Sequence, residues 1–176
     1  MKIAVVKPPS NARRIYPALG LGYVAAALKQ DNHDVEYVDA CLIDFPIDSL
    51  DGKKRVGSPI NWEVIERHLA DKCKDADIAI IGGSFTADIN NSFKIVNIFK
   101  RINKECKTAL GGTHSCALTK QVMEECDNVD FVVRGEGEYI ARLLAKIISG
   151  KGDIRGIKGI SYRDTGGRIC VSEKSD

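Results

Sequence analysis

Three short stretches hold the residues whose types and spacing can do chemistry. They are Gly82-Gly83-Ser84-Phe85-Thr86, Gly111-Gly112-Thr113-His114 and Arg134-Gly135-Glu136-Gly137-Glu138. Each follows a short apolar run and precedes a helical pattern, which is how a buried parallel strand ending in a Gly-rich turn reads. Glycine leaves no Cβ in the way, so backbone N–H groups can approach a bulky or anionic group closely. Three such turns on one sheet edge describe a long groove better than a small pocket. The chemistry they suggest is binding. The spacing offers no Ser/His/acid or Cys/His set, and the only paired carboxylates at a strand end are Glu136 and Glu138. Both acids fall in the first turn of a helix, where they answer the N-terminal dipole, so on their own they read as structural, with Arg134 as an available ion partner. His114 follows a glycine pair at a strand end, a position that permits ligand contact. A loop histidine is nonetheless more often a hydrogen-bonding residue than a metal ligand.

Composition narrows the classes. At 176 residues the chain is one domain with a full core, and 44% hydrophobic with 28% charged residues is ordinary for a globular protein. The net charge of +2 and the lack of a Lys/Arg stripe interleaved with aromatics exclude nucleic acid as a partner. No apolar run approaches the roughly 18 residues a membrane span needs, and Met1-Lys2 leads straight into a strand, so neither span nor signal peptide is expected. The six cysteines (Cys41, Cys73, Cys106, Cys116, Cys126, Cys170) form no CxxC or CxxxCxxC. They read as free thiols in a reducing compartment, which makes the product cytoplasmic.

The elements that position the three turns follow from the hydrophobic pattern. Residues 2–6 form a first strand stopped by Pro8-Pro9, and a loop runs to Tyr16. Pro17 opens a helix through Leu28 with Leu21, Val24, Ala25 and Leu28 on one face. Gly20 and Gly22 are poor helix formers there, so they mark close contact with a neighbouring strand or with a ligand, and the residues alone weigh both equally. Residues 35–39 alternate like an edge strand. Residues 40–60, with Pro46, Pro59 and the basic triplet Lys53-Lys54-Arg55, read as an irregular excursion. Asn61 caps a helix that turns Trp62, Ile65 and Leu69 inward and leaves His68 near the surface. Residues 78–81 form a central strand, Asp88 caps a helix carrying Ile89, Phe93, Val96 and Ile102, and residues 108–110 form the fourth strand. A helix over 117–125, a strand over 129–133 and an amphipathic helix over 136–148 closed by Gly150 complete the alternation. Residues 157–171 then read as a β-hairpin around Asp164-Thr165-Gly166-Gly167.

This alternation predicts an α/β, doubly wound, flavodoxin-like (Rossmann-like) parallel sheet of order 2-1-3-4-5, with helices on both faces. Residues 1–150 make the ligand-binding domain, and residues 151–176 a hairpin extension. No GxGxxG or P-loop follows the first strand, where Lys7-Pro8-Pro9-Ser10 stands, which disfavours dinucleotides. A flavodoxin-like FMN electron carrier would need a Ser/Thr/Gly-rich phosphate loop at that place. A ligand-free interaction domain, with the glycines serving only tight turns, is the third reading.

Taken in order, the motifs resemble a known family. Pro17-x-Leu19-Gly20-Leu21-Gly22-Tyr23-x-Ala25-Ala26, the three glycine turns, Val129-Asp130-x-Val132-Val133 and Gly159-Ile160-Ser161-Tyr162-Arg163-x-x-Gly166 together look like the N-terminal domain of cobalamin-dependent radical SAM enzymes. That group includes methyltransferases and anaerobic magnesium-protoporphyrin IX monomethyl ester oxidative cyclases. The resemblance implies a base-off corrinoid at the carboxyl edge of the sheet, its nucleotide tail in a groove between strands. Ser84 and Thr86 match the position that hydrogen-bonds the tail, and Gly111-Gly112 the pair that lets it pass close to the backbone. The implied cofactor-contacting set is Leu19, Gly20, Leu21, Gly82, Gly83, Ser84, Phe85, Thr86, Gly111, Gly112, Thr113, His114, Gly135 and Glu136. A side chain added at Gly112 is expected to intrude on the ligand and leave the sheet intact. Two departures matter. The Asp-x-His-x-x-Gly motif that gives cobalt a histidine is absent, so His33, His68 and His114 are not expected to ligate the metal. The CxxxCxxC of a [4Fe–4S] cluster is absent too. S-adenosylmethionine and the cluster would belong to a radical SAM domain beyond Asp176, which makes the chain a piece of a longer protein with no catalytic residues of its own.

Overall fold

The structure, a computed structural model, describes residues 1–10, 17–43, 59–155 and 157–175. Residues 11–16 of the first loop and the basic triplet Lys53-Lys54-Arg55 lie outside the described residues. The apolar runs become strands β1 (Lys2–Lys7), β2 (Asp34–Asp39), β3 (Ile78–Gly82), β4 (Lys107–Gly111) and β5 (Phe131–Val133), and the hairpin supplies β6 (Ile160–Arg163) and β7 (Ile169–Cys170). One seven-stranded sheet has the order β2-β1-β3-β4-β5-β6-β7. The pairs from β2 to β5 are parallel, as expected, and β6 joins β5 antiparallel, so the hairpin extends the same sheet. All five residues of β3 are buried, which suits its unbroken apolar sequence and its inner place.

Helices cover both faces. On one lie α3 (Trp62–Cys73), α4 (Ile89–Ile102) and α6 (Thr119–Glu125), packed through Ile65, Leu69, Phe93, Val96, Phe99 and Met123. On the other, α1 (Leu19–Gln30) and α7 (Gly137–Ile148) lie side by side. Val24, Ala25 and Leu28 of α1 meet Ile140, Ala141 and Leu144 of α7 there, above Val5, Ile78 and Ile80. Arg142 of α7 donates to the Ala27 carbonyl at 3.1 Å and pairs with Asp31 at 3.2 Å, filling part of the acceptor need at the end of α1. Asn61 accepts from the Val64 N–H at 3.2 Å as the N-cap of α3, and Gly150 takes the left-handed φ of +75° beyond α7.

Local departures from expectation have local causes. The expected 117–125 helix is α6, which starts at Thr119 after Leu118, whose φ of −115° and ψ of 36° are not helical, and a separate short helix, α5 (Thr113–Ala117), precedes it. Residues 40–43 are a short helix, α2 (Ala40–Ile43), started by Asp39 accepting from the Cys41 N–H. β5 begins at Phe131, two residues later than expected, because Val129 closes a turn onto the Cys126 carbonyl. Asp88 stands at the N-cap position of α4, but its side chain makes no capping bond there.

Candidate functional site

Side chains alternate along a strand, so residues 80 and 82 of β3 and 109 and 111 of β4 share the α1/α7 face. The register sets Gly82 opposite Gly111, and Gly111 opposite Val133. Two side chains are therefore missing from the last row of this face, at the carboxyl edge. The depression they leave is a cavity of about 290 Å³. Val24 of α1 and Ala141 of α7 form its walls, Ile80 and Val133 its floor, and Ser84, Glu136 and Glu138 its polar rim. A second cavity of about 250 Å³ lies above the ends of β1 and β3, lined by Lys7, Pro8, Ser10, Pro17, Leu19, Phe85, Asp88 and Ser92. Gly20, Leu21, Gly82 and Ser84 line both, so the two make one groove along the edge.

The glycines divide into two kinds. A Cβ on Gly20 would meet nothing within 4 Å, and one on Gly111 would meet only the Val133 Cβ at 3.7 Å. Neither is required by protein packing, and Gly20 bears the helix-propensity penalty of glycine without a contact to explain it. A Cβ on Gly82 would stand 3.2 Å from Leu21 Cδ1, so Gly82 is what lets α1 settle onto the sheet. Gly83 and Gly112 serve the rims. A Cβ on Gly83 would strike the Ser115 hydroxyl, and one on Gly112 would meet the Ser84 N at 2.9 Å. Gly112 also has φ 116° and ψ 172°, a region open essentially to glycine alone. The expectation that a side chain at Gly112 leaves the sheet intact is thus corrected: the β3 rim stands against it.

Backbone hydrogen bonds hold those rims together. The Gly83 N–H donates to the Gly111 carbonyl at 2.6 Å, the Ser115 N–H to the Gly83 carbonyl at 3.1 Å and the His114 N–H to the Ser84 carbonyl at 3.3 Å. His114, buried, shares a hydrogen bond between Nδ1 and the Thr86 hydroxyl at 2.9 Å. That bond ties the β3 and β4 turns together at the edge. Behind them, Lys7 and Asp39, partners in the β1–β2 register, form a buried ion pair at 3.0 Å. Arg134 does not pair with either glutamate. Its guanidinium donates to the Ser172 carbonyl, and its own carbonyl accepts from the Ser175 N–H, which fastens the last described residues beside Gly135.

Of the residues expected to contact a cofactor, Leu19, Gly20, Leu21, Gly82, Ser84, Phe85, Gly111, Gly112, Gly135 and Glu136 line the groove. Gly83, Thr86, Thr113 and His114 line neither of its two cavities and belong to the rim framework. His33 lies at the opposite edge, just before β2, and His68 on α3. The walls Val24 and Ala141 and the floor Ile80 and Val133 escaped the sequence reading because their apolar character marks them equally well as core. Only their register with the glycines shows that they border open space. Among the described residues no group of three or more His, Cys, Asp or Glu stands close enough to hold a metal, and no helix is long and apolar enough to cross a membrane.

Comparison with known proteins places the chain in a family. The chain is 29% identical over 172 residues to an uncharacterized methyltransferase of Pyrococcus horikoshii, covering 94% of this chain and 33% of the relative. It is 27% identical over 162 residues to the anaerobic magnesium-protoporphyrin IX monomethyl ester cyclase of Rubrivivax gelatinosus, covering 89% of this chain and 26% of that protein. The chain thus spans a third or less of the length of these relatives. Among solved structures, the cobalamin-dependent S-adenosylmethionine radical enzyme OxsB, with aqua-cobalamin and S-adenosylmethionine bound, shares the fold. Its TM-score is 0.75 at 19% identity, over 99% of this chain and 22% of that one. The family model for the B12 binding domain matches residues 10–145, so the chain belongs to the B12-binding domain family.

Proposed function

We propose that this chain is the cofactor-carrying module of a radical SAM protein, holding a corrinoid in the base-off form at the carboxyl edge of the sheet. The observation that carries the reading is the row Gly82–Gly111–Val133, which leaves a cavity that neither α1 nor α7 fills. The open faces of Gly20 and Gly111 fit such a group, because a ligand explains glycines that the fold itself does not need. Bound there, a corrinoid supplies a cobalt centre for methyl transfer or for a redox step.

The residues of this chain bind and orient. Val24, Ile80, Val133 and Ala141 shield an aromatic tail base from water. The Ser84 hydroxyl and the Glu136 and Glu138 carboxylates offer hydrogen bonds to the tail and to amide N–H groups at the rim. The Thr86–His114 bond keeps the two turns at fixed spacing, and buried His114 lines neither cavity of the groove. Reductive cleavage of S-adenosylmethionine needs a [4Fe–4S] cluster, and these 176 residues contain no CxxxCxxC. We therefore assign that chemistry, and the substrate, to a radical SAM domain beyond the hairpin, with residues 1–150 as the binding unit and residues 151–176 as the passage to it. The six cysteines, all free thiols, suit a cytoplasmic location.

The FMN reading is not favoured, since Lys7-Pro8-Pro9-Ser10 ends β1 where a Ser/Thr/Gly phosphate loop would stand. Titration of the purified chain with hydroxocobalamin, followed in the visible spectrum, is expected to give a saturable shift to the base-off form. Absence of any shift, together with saturable FMN binding, would refute the proposal and support the carrier.

A further inference from the structure

Gly135, Glu136, Gly137 and Glu138 all line the cavity between α1 and α7, so the place of this turn sets the width of the groove. Glu136 gives α7 no side-chain cap, and the helix start is not fixed by its own first residues. The stretch after β7 supplies the missing hold. The Ser175 N–H donates to the Arg134 carbonyl at 3.1 Å, and the Gly159 N–H to the Glu173 carbonyl at 2.8 Å. The Ser172 N–H donates to the buried Ser161 hydroxyl at 3.0 Å. Arg134 reaches back: its guanidinium donates to the Ser172 carbonyl and its N–H to the Gly159 carbonyl at 2.8 Å. Residues 172–175 thus form a strap across the start of β6 and onto the Arg134 turn.

Two glycines with left-handed φ, Gly135 at +135° and Gly159 at +85°, make room for the strap. A Cβ on Gly135 would stand 2.6 Å from the Ser175 hydroxyl, and one on Gly159 would stand 3.0 Å from Ser175 Cβ and 2.5 Å from Ile140 Cδ1. Gly135 therefore borders the strap and the cavity at once. We infer, resting on the corrinoid reading above, that residues 172–175 belong to the binding unit, with Arg134 as a positioning residue that holds the 135–138 turn ready for the ligand. A wall ordered beforehand spares the cost of ordering it on binding. The family model stops at residue 145, so the groove is completed by chain that lies beyond the matched part and does more than lead onward.

The test uses Arg134→Ala, Arg134→Lys and Ser175→Pro, the last of which deletes the N–H that meets the Arg134 carbonyl, each in the 176-residue chain. Circular dichroism fixes a temperature at which every variant is folded, and hydroxocobalamin is titrated there. Arg134→Ala is expected to bind roughly ten- to 150-fold more weakly, the range of one hydrogen bond from a charged group. Arg134→Lys, which keeps a donor, should recover part of that loss. Hydrogen exchange at residues 135–139 should quicken in Arg134→Ala and Ser175→Pro while β1 and β3 stay protected. Asn61→Ala, which loses a cap on the other face, is the control for lost stability alone. If Arg134→Ala does not fold, Ser175→Pro, at the end of the chain, decides the matter. Wild-type affinity in the folded variants would overturn the inference and leave the corrinoid reading in place. So would faster exchange confined to residues 160–171, which would make the strap a brace of the hairpin alone. A wild-type chain that binds no hydroxocobalamin would overturn the corrinoid reading and the binding role of the strap with it.

Discussion

Gly111→Leu and Gly112→Val, neighbouring substitutions in one glycine pair, are expected to fail in opposite ways. At Gly111 the first added carbon meets only Val133 Cβ at 3.7 Å, an ordinary contact, and the backbone is that of a regular strand end. The rest of a leucine must then extend into the 290 Å³ cavity. Fold stability should hold or rise, since glycine in a strand lacks both packing and conformational restraint. A ligand tail sharing that space meets an overpacked site, which costs about 1–3 kcal/mol, or roughly five- to 150-fold in affinity. At Gly112 a Cβ stands 2.9 Å from the Ser84 N and 3.0 Å from its Cα, and the φ is +116°. Strain of this kind costs about 1–3 kcal/mol before the β3 rim moves at all. For a chain of this size each kcal/mol lowers Tm by about 2–4 °C. Thermal melts followed by circular dichroism and cobalamin titrations of both variants separate the effects. A folded Gly111→Leu protein that binds cobalamin as tightly as wild type would refute the reasoning, as would a Gly112→Val protein with unchanged Tm.

Other consequences are simpler to check. Gly20→Ala should leave Tm unchanged or raise it, by up to about 1 kcal/mol of stability, because the methyl enters open space in a helix; a clear drop in the melt would contradict the packing described. Asn61→Ala removes the bond to the Val64 N–H and should cost about 1 kcal/mol in denaturant unfolding with no change in cobalamin affinity, since α3 lies on the other face. Burial pushes the Cys73 and Cys106 thiols from 9.0 up to about 12. The folded chain keeps both protons at a pH where the unfolded chain releases them, so their contribution is complete below about pH 9 and is lost as pH rises toward 12. Unfolding midpoints should decline from pH 8 to 10.5, less steeply in Cys106→Ala; a flat profile in both would contradict this.

Much of the fold was legible because its signals are local and repeated. Unbroken apolar runs marked the inner strands, alternation marked β2 as an edge, and Asn61 announced the start of α3. The three glycine turns pointed to the carboxyl edge for the same reason, since strand ends in a doubly wound sheet share one side. What sequence could not divide was each glycine pair. Gly82 and Gly111 face α1 and α7, whereas Gly83 and Gly112 lock the turns to one another, and only the β3–β4 register separates the two roles. Arg134 illustrates a second limit. Its acidic neighbours in sequence made an ion pair the natural expectation, but the partner, the Ser172 carbonyl, comes from the stretch that follows β7. The apolar floor was hidden for a third reason: Ile80 and Val133 are ordinary core residues until the glycine beside them empties the space above.

Spin-resonance spectroscopy of the chain loaded with cob(II)alamin tests the central claim most directly. With the tail base held between α1 and α7 and His114 buried in the rim framework, lining neither cavity of the groove, the account expects cobalt hyperfine lines without nitrogen splitting. A nitrogen triplet would contradict the account. If it persisted in His114→Ala, the base would still be on cobalt and the cavity empty of it; if it vanished there, His114 would be the ligand.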